Sequence, residues 1–188
     1  MTQAMYLPGA AREGVWVLTV AFAAVAGWTD WRWRRIPNWL TVPAAAVGLT
    51  LNVVLGGWQG AKLSLLGLAL GFGLMLPFVA VKALGAGDLK LVAALGAFLG
   101  WQRLLAVLFA AVLIAGAMAV VLIVWKKRVR ETARNIFHLL LALATLRPPQ
   151  TEVTLDNPRA LKVPFGVAVA LAVLLYMAGQ LWPGTWVV

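Results

Sequence analysis

Six side chains in these 188 residues carry a carboxylate, and two of them sit where a carboxylate is expensive. Asp30 ends an apolar run in Gly27-Trp-Thr-Asp30, and Asp88 opens another in Gly85-Ala-Gly87-Asp88-Leu-Lys90. The other four need no special account: Glu13 lies near the N-terminus, and Glu131, Glu152 and Asp156 fall in a hydrophilic stretch where solvation suffices. An ionisable residue at the edge of an apolar segment should face a protein interior or a water-filled cleft. Two carboxyl groups sharing one cleft oppose each other's ionisation, so near neutral pH one stays protonated while the other is a carboxylate. Such a pair is an acid and a base in one place. The carboxylate takes a proton from a trapped water, the water attacks a peptide carbonyl, and the protonated partner donates to the carbonyl oxygen. Hydrolysis of this kind needs no metal and no cofactor. The two glycines before Asp88, lacking Cβ, would let a substrate backbone come close to the acid. Taken singly, each Asp reads equally well as a helix cap or a partner for neighbouring arginines. The pairing, in a chain otherwise nearly free of charge inside its apolar runs, favours the chemistry.

The elements that must position the two acids follow from composition. The chain is 63% apolar and 12% charged, far from the roughly 45–50% and 25% of ordinary soluble domains. It reads as a single all-α domain over residues 1–188, a polytopic membrane bundle. Six apolar runs serve as spans, at about 14–29, 39–56, 63–82, 88–100, 103–125 and 163–182. Nearly all ten Trp lie at the edges of these runs, at the level where an amphipathic ring meets the headgroups. The fourth run is short, rising only about 21 Å, which places Asp88 slightly inside the membrane. Residues 135–146 cover about 18 Å against a ~30 Å core, so they read as an interfacial helix within the cytoplasmic loop 126–162. Gly67-xxx-Gly71, Gly73 and Gly96-xxx-Gly100 offer small faces for close helix packing.

Charge sets the direction. Six alternating spans put Arg32, Arg34, Arg35, Lys82, Lys90, Lys126, Lys127, Arg128, Arg130, Arg134, Arg147, Arg159 and Lys162 on one side and only Arg12, Lys62 and Arg103 on the other. The basic side is cytoplasmic, both termini are outside, and both acids lie at the cytoplasmic end. Five or seven spans would destroy this asymmetry. The net charge of +10 therefore reads as topology, with the lipid bilayer as partner and no nucleic acid implied. The first run is not a signal peptide, because its arginines follow the apolar segment and anchor that end inside. With no Cys and one His, His138, neither a Cys-based zinc site, a thiol nucleophile nor a Ser-His-Asp triad has the residues it needs.

Several motifs resemble one family. Gly85-Ala86-Gly87-Asp88-Leu-Lys90 resembles the Gly-x-Gly-Asp-x-Lys motif of bacterial prepilin peptidases, the type IV leader peptidases. Asp30-Trp-Arg-Trp-Arg-Arg35-Ile36-Pro37-Asn38 resembles their first catalytic Asp and the Arg-rich Ile-Pro-Asn turn after it. Val163-Pro164-Phe165-Gly166 resembles their Pro-aromatic-Gly lead-in to the last helix. The resemblance spans about residues 14–182. It implies that Asp30 and Asp88 are the catalytic aspartates, with Gly85, Ala86, Gly87 and Lys90 forming the active-site loop. It also implies a multi-pass protein of the bacterial inner membrane, whose substrates are pilin-like precursors with a basic leader and an apolar helix. Larger members resemble bifunctional enzymes with paired Cys-x-x-Cys motifs and a methyltransferase activity. Without Cys, this chain resembles the short, peptidase-only members associated with Flp-type pili, and no N-methyltransferase activity is expected.

Two readings compete. A small proton- or cation-coupled transporter would use Asp30 and Asp88 as carriers, but transport pathways set their acids near the bilayer midplane with polar residues on both sides. A non-catalytic scaffold for pilus assembly would tolerate Asn at either position. For Lys82, Lys90 and the three arginines after Asp30, anchoring at the headgroups is the plain reading.

Overall fold

The computed structural model describes residues 9–126 and 163–181. Their regular structure is helical: α1 (Gly9–Trp33), α2 (Asn38–Ala80), α3 (Ala86–Trp125) and α4 (Phe165–Leu181). The segments Gly14–Trp33, Asn38–Ala80 and Ala86–Trp125 are long and apolar enough to cross a membrane, and Phe165–Gln180 is a shorter apolar helix. Loop 127–162, with the expected interfacial helix at 135–146 and His138, lies outside the described residues.

The sequence predicts six separate helices where the described residues form four, and the difference lies in two glycines. At 43 and 40 residues, α2 and α3 would each run about 60 Å if straight, twice a ~30 Å hydrocarbon core. Each is instead interrupted at one residue, Gly57 (φ 55°, ψ −139°) and Gly100 (φ 72°, ψ 171°), in backbone conformations that L side chains rarely adopt. The expected gaps at 57–62 and 101–102 therefore shrink to a single residue each. At Gly57 the chain doubles back. Asn52 and Ser64 are twelve residues apart, about 18 Å along a straight helix, yet both donate to the carbonyl of Ala97, at 2.8 and 2.6 Å. Gly60 then lies directly against the carbonyl of Asn52, with no room for a Cβ.

The first half of α3 is the centre of the molecule. Residues 91–100 are all buried, as expected of a helix that is apolar all round. Its neighbours reach it through glycines. Gly48 faces the backbone of Ala97 and Phe98, Gly67 faces Gly96, and Gly71 faces Val92, each so closely that a Cβ would strike main chain. Gly73 has nothing within 4 Å and takes no part. Asn52 also donates to the Phe98 carbonyl at 3.2 Å, so the break at Gly100 leaves two carbonyls that the neighbouring helical segments satisfy.

On the outside, Val54, Trp58, Phe109, Val121 and Trp125 are exposed, an apolar surface that suits lipid rather than water. Trp16 differs from the expected interfacial ring. It is buried, packs on Tyr176 with 5.6 Å between ring centroids, and lies under the Arg103 guanidinium at 5.7 Å.

Candidate active site

Asp30 lies within α1, whose helix continues to Trp33, and not at its end as the sequence suggests. It is only 7% exposed. Gly27, one turn earlier, brings α1 close to α4: a Cβ there would lie 2.9 Å from the Ala170 Cβ. Across this contact the Asp30 Oδ2 accepts a hydrogen bond from the backbone N–H of Gly166, at 2.7 Å. Beyond Asp30 the helix stops as Arg34 turns into left-handed backbone (φ 53°) and its N–H returns to the Asp30 carbonyl at 2.9 Å. Glycine is the usual residue for this position, and an arginine there carries strain.

Asp88 is the third residue of α3, with Gly85 rather than Asp88 at the N-cap. Its Oδ2 accepts the N–H of Gly85 at 3.2 Å, the helix-start bond in which a side chain at the third position reaches back to the cap. The Asp88 N–H in turn reaches the Gly85 carbonyl at 3.0 Å. The Gly-Ala-Gly-Asp loop thus holds its own carboxylate.

The two acids meet at one cleft of about 430 Å³. Its walls are Asp30 and residues 34–38 on one side and residues 85–88 on the other. Among the described residues no three acids or histidines gather in one place.

The remaining loop residues have roles that the sequence does not suggest. The space beside Gly87 is taken by Ile36, whose Cβ, carbonyl and amide nitrogen lie 3.2–3.4 Å from where a Cβ would stand. This glycine therefore admits the chain's own turn after α1, and it also lines the cleft. Ala86 is exposed and lines the cleft. Lys90 is not part of the lining, and its ammonium donates to the Asn38 side chain at 2.8 Å, tying the start of α3 to the start of α2. Gly166 is the residue that sequence reasoning passed over. The signal was present in Pro164-Phe165-Gly166 at the head of an apolar run, but nothing local connects it to an acid 136 positions away.

The fold and the cleft define a class, an all-helical protein with three helices long and apolar enough to cross a membrane and two carboxylates lining one cleft. The comparisons with known proteins are more particular. The type IV leader peptidase family matches residues 17–120, and the chain belongs to that family. Among curated proteins, the chain is 30% identical over 134 residues to a prepilin leader peptidase/N-methyltransferase of Burkholderia pseudomallei (strain 1026b), covering 68% of this chain and 42% of that protein. The protein of that name in Pectobacterium carotovorum subsp. carotovorum is 34% identical over 140 residues, covering 70% and 48%. The one in Myxococcus xanthus (strain DK1622) is 37% identical over 131 residues, covering 65% and 33%. The chain thus aligns with less than half the length of each of these relatives. No solved structure matches it.

Proposed function

We propose that this chain is a membrane-embedded aspartyl endopeptidase that removes the basic leader from type IV prepilins, of the Flp type, or from pseudopilins. One observation carries the reading: Asp30 and Asp88, from helices far apart in sequence, line a single cleft. In this cleft one carboxylate takes a proton from water as the water attacks the scissile carbonyl, and the other, protonated, donates to the developing oxyanion. The proton then passes to the leaving amine, and the peptide leaves as two chains. Family membership and the names of the relatives support the substrate class.

The chain crosses the bacterial inner membrane six times with both termini outside. The breaks at Gly57 and Gly100 and the fold-back between Asn52 and Ser64 support this count, and the one-sided distribution of Lys and Arg supports the direction. The cleft then opens on the cytoplasmic side, where a basic leader meets an apolar helix.

Co-expression with a Flp-type prepilin, followed by gel mobility, tests the reading. Leader loss with the wild type, and none with Asp30→Asn or Asp88→Asn at equal membrane levels, is the expected result. No cleavage of any pilin-like precursor by the wild type would overturn it.

A further inference from the structure

We infer that Gly166 is a positioning residue for Asp30, so that the first turn of α4 is part of the active site. The inference rests on the peptidase reading and extends it to an element that carries no acid.

The first N–H groups of α4 have no carbonyl within the helix to bond. Those of Val167 and Ala168 reach back to the Pro164 carbonyl at 3.2 and 3.4 Å, but Pro164 has no side-chain oxygen to cap the turn. Asp30 supplies the missing acceptor from another helix, 2.7 Å from the Gly166 nitrogen. The bond directs a donor at the positive end of a helix onto one oxygen of a carboxylate that is 7% exposed.

Sterics make the same point independently. A Cβ on Gly166 would lie 2.8 Å from the Asp30 Cβ, 3.1 Å from Oδ2 and 3.2 Å from the carboxyl carbon. The missing side chain of Gly166 is the space that Asp30 occupies. Any other residue there must push the carboxylate away or shift α4 as a whole. Gly27 serves the same helix pair differently, since the atoms nearest a Cβ there are the Ala170 Cβ at 2.9 Å, the Gly166 carbonyl oxygen at 3.3 Å and the Val167 Cα at 3.5 Å, all of α4. Gly166 meets the acid itself, and Gly27 meets the helix that carries Gly166.

The test uses the full-length protein with a purified prepilin. Gly166→Ala should lower kcat about 100-fold, the cost of a small displacement of a reacting group, and leave KM unchanged. Gly27→Ala should lose activity through packing and regain it when combined with Ala170→Gly, whereas Ala170→Gly should not rescue Gly166→Ala. A readout independent of turnover is the amide resonance of Gly166 in glycine-labelled protein, which should move with Asp30→Ala and stay with Asp88→Ala. Gly166→Ala with wild-type kcat, or a Gly166 amide indifferent to Asp30→Ala, overturns the inference whether or not the alanine variant folds. A responsive amide in a wild type that cleaves no precursor overturns the peptidase reading, and the catalytic role of Gly166 with it, while the contact itself stands.

Discussion

The two acids reach one cleft by opposite means. Asp88 is held by Gly85, three residues before it in its own loop, whereas Asp30 is held by Gly166, 136 residues away on another helix. The first arrangement forms as soon as α3 starts. The second exists only when α1 and α4 have packed, which requires Gly27 to meet Ala170 and Gly166 to make room for the carboxylate. Placement of the site is therefore local at one acid and tertiary at the other, and the two should fail in different ways.

Substitutions can break or sharpen this contrast. Among substitutions that leave both acids in place, a large effect is expected where the local loop meets the turn after Asp30. In Gly87→Val the side chain would press on Ile36, displacing the cleft wall at residues 34–38, and kcat/KM for leader cleavage should fall about 100-fold. A wild-type rate would show that this wall plays no part. Asn52→Leu acts on the fold instead, depriving the Phe98 carbonyl of its donor and that of Ala97 of one of two. It should cost about 1 to 2 kcal/mol in thermal or denaturant unfolding, with little change in cleavage rate well below the transition. A large loss of rate in a protein still folded would join this buried cluster to the chemistry.

Smaller effects should come from the loop itself. In Gly85→Ala the backbone is already in a conformation open to any residue (φ −75°), the N–H is kept, and the new methyl lies 3.3 Å from Oδ2 of Asp88. The rate should fall only a few-fold, on the order of the half-unit to one kcal/mol that a slight shift costs. A loss as large as that of Gly166→Ala would erase the distinction between the two acids. Smallest of all, Lys90→Met removes an exposed bond to Asn38 and should cost less than about 1 kcal/mol of stability, with cleavage nearly unchanged.

The same contrast explains what the sequence could disclose. Asp88 was legible because its glycines, cap and carboxylate fall within four residues, and Asp30 because an acid ending an apolar run is conspicuous. Helix packing through Gly67 and Gly96 was legible as a spacing of small residues, although Gly73, from the same pattern, meets nothing. Gly166 was not legible as a partner of Asp30, since a backbone donor has no side chain to announce it. Gly87 shows the converse, a conspicuous glycine whose neighbour across the chain, Ile36, no local pattern announces. The breaks in α2 and α3 were expected as short loops, but a single glycine with positive φ suffices for each. Trp16 stands at the edge of an apolar run, which suggests an interfacial ring, and it is instead covered by Tyr176 and Arg103 from elements far along the chain.

The central claim is that Asp30 and Asp88 act as one catalytic unit. It is tested most directly by single-turnover cleavage of a purified prepilin by the wild type, Asp30→Asn, Asp88→Asn and the double variant, each confirmed folded by its unfolding transition. Each single change should lower the rate by about 1000-fold or more, and the double should be no slower than either, because a unit that has lost one member has no function left for the other to lose. Cleavage surviving either single change, or a double variant slower by the product of the two single effects, would contradict the account.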